Sequence, residues 1–264
     1  ACVFYIAYLF TGFIVKPDWL RIGHEFVTPQ LQFKPAFLIM LIGVVGTTIA
    51  PWMQFYQQAS VAEKGISIKD YAYSKADTII GSISVNLIAF FIIVVCGAVL
   101  FFGNSGTPMN IETAADAAKS LAPLAGKYAA LLFAFGLLNA SLFAASILPL
   151  STAYSVCESF GWETGVNKRF VEAPQFYSLY TILILLGAGL ILLPKIPLIT
   201  IMLASQVING IVLPFVLVAM LVIVNDKKVM GEHTNSRLNN IITIAFTLAI
   251  SGLSLILAVI SFTQ

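Results

Sequence analysis

An uncharged run of the sequence, residues 35–62, carries a proline near its centre and constrains the fold more than any other feature. The run is long enough to cross a bilayer, which takes about 20 apolar residues. Pro51 lacks the backbone N–H that a helix needs there, and its ring clashes with the carbonyl group of Thr47. Lipid supplies no water for the freed carbonyl, so irregular backbone at this depth must line a cavity or be buried in protein.

The sequence predicts a broken helix over 36–62, with helical halves near 36–46 and 52–62 and no regular helix from 48 to 51. Helices broken at mid-membrane are typical of secondary transporters, which aim the freed carbonyl groups at the substrate. The alternative is a simple proline kink in an ordinary membrane helix. The polar and aromatic residues at 54–58 favour a water-lined, functional half-helix.

Composition places the chain among all-α polytopic membrane proteins. Hydrophobic residues make up 59% of it and charged residues 10%, and the mean hydropathy is +0.95, far outside the range of soluble proteins. The net charge of +2 is too small to indicate a nucleic-acid partner. We therefore expect the chain to cross the lipid bilayer of the cell membrane several times.

Apolar segments divide the chain into seven spans within a single, partial transmembrane domain, 1–264. They are residues 1–15, 36–62, 79–102, 128–150, 177–194, 197–224 and 239–262. The first residue already lies in an apolar run, so we interpret the start as a cut through a longer protein and not as a signal peptide. Eight of the fourteen basic residues lie in the loops near 63–78, 151–176 and 225–238, which the positive-inside rule assigns to the cytoplasm.

Three connecting stretches carry local signals. Residues 103–108, with the sequence Gly-Asn-Ser-Gly-Thr-Pro, indicate a turn. Residues 193–197 contain two prolines and indicate a tight hairpin. Polar side chains recur at helical spacing over 109–122, which predicts a short surface helix on the outer side of the membrane.

Soluble catalytic motifs are missing from the sequence, so we predict neither an enzyme nor a bound cofactor. His24 and His233 each stand beside a glutamate in a predicted loop and are interpreted as surface residues. The three cysteines lie far apart in or beside apolar runs, which indicates buried thiols and not a disulfide or a zinc site.

Charged side chains are absent from the centre of every predicted span, although carboxylates usually mark ion paths in membranes. Either a carboxylate ligand lies on a segment outside this sequence, or the chain does not move cations.

Other spans carry polar residues at membrane depth. The small residues at 140–145 are best explained by close helix packing. Gln206 and Gly210 share one helix face, and the Gln206 amide suits either a hydrated cation or an interhelical hydrogen bond; the spacing does not choose between them. For Asn86 the interhelical hydrogen bond is the better interpretation.

Three long blocks of the sequence resemble the NRAMP divalent-metal transporters and, within that family, the NRAMP-related magnesium transporters. The blocks are 46–58, 137–162 with Pro149-Leu150-Ser151-Thr152-Ala153-Tyr154, and 206–231 with Leu213-Pro214 and Asn225-Asp226. The resemblance implies a LeuT-type inverted-repeat fold, of which this chain supplies helices five to eleven: the second repeat and its flanking helices. It also implies that missing N-terminal helices of the same protein, including a broken helix one with an Asp-Pro-Gly-Asn-type motif, complete the site.

Departures from the family pattern narrow the expected substrate. Typical members read Ala-Thr-Val-Met-Pro-His at the break, whereas this sequence reads Thr-Thr-Ile-Ala-Pro-Trp over 47–52. Ala50 replaces a thioether ligand that suits soft ions, which leaves room for a hard ion such as Mg²⁺ with several of its waters. Trp52 and Gln57 replace two histidines, and neither titrates near neutral pH. The resemblance with these changes implies alternating-access transport of Mg²⁺ and Mn²⁺ without proton coupling.

A metal site at the break follows from the same resemblance. Thr47 contributes a backbone carbonyl, Ala50 widens the site, and Gln206 supplies an amide carbonyl directly or through water. The residues expected along the ion pathway are Thr48, Pro51, Trp52 and Gln57.

Three alternatives stay open. One is a proton-coupled Mn²⁺/Fe²⁺ carrier of the same family. Another is an amino-acid or other small-organic transporter of the same superfamily, because the fold alone does not fix the substrate. The third is a membrane subunit that does not transport, because seven helices with half a site cannot transport alone.

Overall fold

Helices form all the regular structure in the part of the chain that the computed structural model describes. That part is residues 3–28, 32, 34–103, 111, 113–193 and 197–262, with side chains described for all of these except 3, 4, 255 and 257–262. The α-helices there are α1 (Val3–Ile14), α2 (Trp19–Val27), α3 (Pro35–Thr48), α4 (Pro51–Glu63), α5 (Tyr71–Cys96), α6 (Ala114–Ala118), α7 (Ala122–Ala125), α8 (Ala129–Phe160), α9 (Pro174–Leu192), α10 (Leu198–Asn225), α11 (Lys227–Met230) and α12 (Arg237–Phe262). Short 3₁₀ turns join some of these helices, and a π-helix, Gly97–Phe102, extends α5.

Five helical stretches among the described residues are long and apolar enough to cross a membrane. They are Pro35–Glu63, Ile68–Phe102, Ala114–Phe160, Pro174–Leu192 and Leu198–Asn225. The apolar helix Tyr5–Ile14 is shorter, and α12 is 26 residues long. The all-α architecture predicted from composition is confirmed.

Two spanning helices extend beyond their apolar segments. α5 begins at Tyr71, before the predicted start near 79, and α8 continues past the predicted end near 150 to Phe160. Pro149 lies inside α8, and the turns after it are held by buried contacts of Tyr154 with α9. Gly161 ends α8 with a φ of 68°, in the left-handed conformation that glycine adopts without strain.

The connection after α1 contains the exposed helix α2. Asp18 caps this helix by accepting a hydrogen bond from the Arg21 amide at 3.0 Å. His24 lies within α2, so its predicted placement in a loop is wrong, whereas its predicted exposure at the surface is confirmed.

The described part of the predicted surface helix over 109–122 forms α6, the 3₁₀ turn Lys119–Leu121 and the start of α7, whereas residues 109, 110 and 112 lie outside the described residues. Ser120 and Leu121 are buried, so this segment is only partly at the surface. α6 starts with a capping box, in which Thr113 and Asp116 satisfy each other's backbone N–H groups. Residues 104–108 of the predicted turn and 194–196 of the predicted hairpin lie outside the described residues.

The uncharged run forms two helices separated by Ile49 and Ala50, and these two residues are called the break from here on. Their backbone angles are φ −128°, ψ 73° and φ −76°, ψ 136°, both far from helical values. Pro51 occupies the first position of α4, where a missing N–H costs nothing. The break is therefore narrower than the predicted interval 48–51, because Thr48 and Pro51 each belong to a helix.

α3 packs against α10 through glycine. A β-carbon added to Gly210 would lie 2.5 Å from the carbonyl oxygen of Ile42, and one added to Gly46 would lie 2.5 Å from the nitrogen of Gly210. Only glycine lets the two backbones come this close.

The two half-helices, α3 and α4, lie alongside α10 and run in the same direction as α10. The first part of α3 packs on Val207, and Ile49 packs on Leu213 and Leu217 further along α10. Beyond the break, α4 lies opposite Met220. α10 therefore lies beside α3, the break and α4 in turn.

The far end of α4 packs on α8 and α9. Ala59 shares a cluster with buried residues from these helices and the loop between them: Ala153, Tyr154, Cys157, Ala173 and Phe176. Glu63 accepts a hydrogen bond from the Asn167 side chain at 3.2 Å, and the Tyr154 hydroxyl accepts one from the Val166 N–H at 3.1 Å. α3 and α4 are consecutive in sequence but pack mainly on different partners.

α12 is fastened to α10 by neutral amides. Asn225 and Asn240 exchange two side-chain hydrogen bonds of 3.0 and 2.6 Å. Asn235 donates a third, to the Asn240 oxygen, at 2.8 Å. Further along α12, Ile250 and Leu253 pack on α10 and α3 clusters, so these three helices form one packed group.

The glycine contact predicts unequal effects of two alanine substitutions in the full-length protein. Gly46→Ala forces α3 away from α10, which should lower the free energy of unfolding by about 1–3 kcal/mol. Gly187→Ala is the matched control, because nothing lies within 4 Å of its added β-carbon. The measurement is the unfolding temperature in detergent. Equal temperatures for the two variants would contradict the close contact.

Candidate functional site

The C-terminal end of α3 presents carbonyl oxygens that lack backbone donors. The Ile49 N–H donates to the Val45 oxygen at 3.0 Å, and the Thr48 hydroxyl donates to the Val44 oxygen at 2.8 Å. Among the described residues, no backbone N–H donates to the carbonyl oxygens of Thr47 or Thr48. In a continuous helix the Thr47 oxygen would accept from residue 51, which is proline.

Electrostatics at the break favour a cation. The C-terminal end of a helix carries a partial negative charge, and at the break this is the end of α3. The side chains of Thr47 and Thr48 at this end are exposed. The whole run 35–62 is uncharged, and no cluster of three or more His, Cys, Asp or Glu that suits a metal occurs in the described residues. The break thus offers neutral oxygen atoms only, and a complete metal site needs ligands from elsewhere.

Ala50 differs from its neighbours in exposure. Its side chain is 2% exposed, whereas those of Thr47 and Thr48 are exposed. Its carbonyl accepts a hydrogen bond from the Met53 N–H at 3.1 Å and so belongs to the first turn of α4. The methyl group of Ala50 is therefore packed inside the protein.

The first turn of α4 is tied to α8 by one buried hydroxyl. Ser151, 1% exposed, donates to the Trp52 carbonyl oxygen at 3.2 Å. Pro51 beside it is buried and Trp52 is half-buried. The predicted site does not include Ser151; the available signal was a hydroxyl two residues after a proline in an otherwise apolar span.

Gln206 lies beside the break through its backbone. The carbonyl oxygen of Gln206 is in the close contact with Gly46, the residue before Thr47. Its half-buried side chain accepts a hydrogen bond from the Asn209 amide at 3.3 Å, within α10. Asn86 likewise donates within its own helix, to the Ser82 oxygen at 2.8 Å, where an interhelical bond was expected.

Gln57 lies two turns beyond the break. Its side-chain nitrogen donates to the Thr78 hydroxyl at 3.2 Å, which connects α4 to α5. The structure thus brings Thr47, Thr48 and the Gln206 backbone to one end of the break, and places Trp52 and Gln57 along α4 beyond it.

A helix broken at a donor-free proline, within an all-helical bundle, is the architecture typical of membrane transporters with discontinuous helices. Residues 1–260 match the family model of natural resistance-associated macrophage protein-like proteins, Nramp. The chain belongs to this family, which in general implies a LeuT-type fold. It is a multi-pass protein of the cell membrane, and membership of a transporter family confirms that it is not an enzyme.

Several bacterial relatives carry the name divalent metal cation transporter MntH. The chain is 26% identical to the protein of Clostridium acetobutylicum over 98% of this chain and 58% of the relative. It is 25% identical to the protein of Caldanaerobacter subterraneus over 96% of this chain and 58% of the relative. It is 26% identical to the protein of Deinococcus radiodurans over 88% of this chain and 51% of the relative. The chain thus spans little more than half the length of these relatives.

Proposed function

We propose that the full-length protein transports divalent metal cations across the cell membrane, and that this chain supplies helices five to eleven, the second inverted repeat with its flanking helices. Family membership and the names of the relatives support the substrate class. These names also favour a cation over the amino-acid alternative. The N-terminal helices implied by the family resemblance supply the rest of the site; the chain itself spans 58% of the length of the Clostridium acetobutylicum relative.

The unpaired Thr47 carbonyl carries this proposal. A backbone oxygen without a donor, at the negative end of α3, is a ligand of the kind that hard divalent cations prefer. Gln206, whose backbone lies at the same end of the break, supplies a second oxygen from its side-chain amide, directly or through a water. Thr48 borders the exposed side of the site.

Alternating access is supported by the way that the two half-helices pack. α3 is held by α10 and α12, while α4 is held by α8 and α9 through Ser151 and the cluster around Ala59. Ile49 and Ala50 join the two half-helices at the break. Rotation about these two residues changes the angle between the half-helices and exposes the ion to one side of the membrane at a time.

The test is uptake by the full-length protein in liposomes, with Mn²⁺, Mg²⁺ and Ca²⁺ compared. Pro51→Ala restores the N–H that allows a continuous helix through Ile49 and Ala50, in which this N–H pairs with the Thr47 oxygen, so uptake should fall about tenfold, the factor for 1.4 kcal/mol of lost binding. Thr47→Ala is the matched control, because it keeps both the backbone carbonyl and the proline, and it should transport like the wild type. Full uptake by Pro51→Ala, or no uptake of any divalent ion by the wild type, would refute the proposal.

Two candidate functions differ in the metal that is transported and in proton coupling. The relatives' names support the general divalent-cation class, and within it a proton-coupled Mn²⁺/Fe²⁺ carrier is the candidate closer to them. The second candidate, a carrier of Mg²⁺ and Mn²⁺ without proton coupling, is supported by Ala50, Trp52 and Gln57, which stand where the family pattern has a thioether and two histidines. Two experiments separate the candidates.

The first uses Ala50→Met, which adds a soft thioether and takes space from the waters of Mg²⁺. The ratio of Cd²⁺ to Mg²⁺ uptake should rise about tenfold or more, because a soft ion gains a direct ligand. Ala50→Leu is the control for size, which matters because Ala50 is buried. It should reduce uptake of both ions without changing their ratio. An equal ratio in both variants would count against a thioether effect at this position.

The second experiment follows protons with a pH-sensitive dye inside proteoliposomes during metal uptake. The run 35–62 holds no histidine or carboxylate, and a proton relay needs a group with a pKa near the working pH. Without coupling, uptake responds to membrane potential at about 2.3 kcal/mol per charge per 100 mV. Internal acidification that tracks metal entry at clamped potential would instead establish the proton-coupled candidate.

A further inference from the structure

The short helix α2 has the two faces of a helix that lies at a membrane surface. Its polar residues share one face: Arg21, His24 and Glu25. Its apolar residues cover the rest of its circumference: Trp19, Leu20, Ile22, Phe26 and Val27. Leu20 and Val27 are 88% and 77% exposed. A helix of this pattern lies along the boundary between lipid headgroups and acyl chains.

Two contacts place α2 against the last part of α5. The Phe26 ring packs on the Phe90 ring, with centroids 6.3 Å apart. The Arg21 guanidinium lies 5.0 Å above the centre of the Phe102 ring, in the π-helix that extends α5. Twelve residues separate Phe90 from Phe102, which corresponds to about 18 Å of helix. One leaflet of the hydrocarbon core is about 15 Å thick, so this part of α5 spans roughly one leaflet.

A groove of about 860 Å³ lies between α2 and this part of α5. Its volume falls within the range of ligand sites, roughly 300–1,000 Å³. Most of its wall is apolar and comes from both helices, with Phe26, Phe90, Ile93, Val94 and Ala98 among the lining residues. The charged residues among those that line it are Asp18, Arg21 and Glu25. An apolar groove with charge along one edge suits an amphiphile.

The charged edge suits a headgroup that carries both signs of charge. The Asp18 carboxylate is occupied as the cap of α2, where it accepts from the Arg21 amide at 3.0 Å. The Arg21 Nε atom lies 3.9 Å from the Glu25 Oε1 atom, too far for a hydrogen bond. The guanidinium suits a phosphate, and the Glu25 carboxylate suits an ammonium group. A headgroup with negative charge alone would meet two carboxylates beside one guanidinium.

We propose that this groove binds one zwitterionic phospholipid with an ethanolamine headgroup. Its phosphate pairs with Arg21, its ammonium group pairs with Glu25, and an acyl chain follows Ile93 and Ala98 along α5. The bound lipid holds α2, and with it the connection between α1 and α3, against α5. This inference goes beyond the proposed transport and does not depend on which ion is carried.

The test measures the unfolding temperature of the delipidated full-length protein in detergent, as dioleoyl phosphatidylethanolamine is added. The temperature should rise, because a ligand that binds only the folded state stabilises it. Dioleoyl phosphatidylglycerol, with the same chains and an anionic headgroup, should produce a smaller rise. Glycerophosphoethanolamine, the headgroup without chains, should produce none.

Gly97→Leu tests the apolar part of the groove. Gly97 lines the groove with helical backbone angles, and no described atom lies within 4 Å of a β-carbon added there. A leucine side chain therefore takes the place of the acyl chain without displacing the protein, and the rise caused by phosphatidylethanolamine should disappear. Gly81→Leu is the matched control, because Gly81 has equal space on the same helix but lies outside the groove. It should respond like the wild type.

Arg21→Gln tests the charged edge. Loss of the ionic hydrogen bonds to the phosphate should weaken the apparent affinity for phosphatidylethanolamine about tenfold. Arg237→Gln is the matched control, since Arg237 is an exposed arginine on α12, outside the groove. Its affinity should equal that of the wild type.

Equal rises in Gly97→Leu and the wild type would overturn the proposal, and so would an equal response to the two lipids. If another part of the full-length protein fills the groove, phosphatidylethanolamine will not stabilise the wild type, and the proposal fails. If Gly97→Leu does not fold, phosphatidylethanolamine with a photoactivatable diazirine on its acyl chain decides. Adducts within 90–98 support the groove, and adducts only elsewhere refute it. Absence of metal uptake would overturn the proposed function and leave the lipid site standing.

Discussion

The missing N–H of Pro51 is the constraint on which the rest of the arrangement depends. In water, an unpaired carbonyl on α3 would be solvated and of no consequence. At membrane depth it must find a donor, an ion or a bound water. The neighbouring structure fits this need: Thr48 satisfies one carbonyl with its own hydroxyl, Ile49 satisfies another, and the Thr47 oxygen stays available. The same residue that interrupts the helix therefore creates its possible ligand.

α10 contacts α3 and α4 in two different ways along its length. Gly210 gives α3 a rigid partner up to the break, and beyond it Met220 faces the amides of α4 across an open space. At the glycines the backbones of α3 and α10 already touch, so the two helices cannot come closer there. A space bounded by flexible side chains can change its width. The half of the run before the break therefore contacts α10 backbone to backbone, whereas the half after it faces α10 through side chains.

The sequence predicted the break and the all-α membrane architecture, because the effect of a proline on a helix and the hydrophobic composition do not depend on tertiary contacts. It predicted a site at Thr47 and Gln206; the structure places the Gln206 carbonyl oxygen in the close contact with Gly46, the residue before Thr47, and their role as metal ligands stays a prediction. It did not find the Ser151 bond to Trp52, since partners 99 residues apart leave no periodic signal. The sequence also did not predict that α8 continues past Pro149, because contacts with α9 stabilise the turns after the proline.

The amide clasp between Asn225 and Asn240 has a consequence for the conditions under which the protein works. Amides carry no charge and do not titrate, so neither acidity nor salt weakens this junction in the way that it weakens an ion pair. Dissolved cations screen the charges of ion pairs and compete for their carboxylates. A joint made from asparagine offers those ions no charged oxygen, and it keeps α12 on α10 whatever the load of cations at the membrane surface.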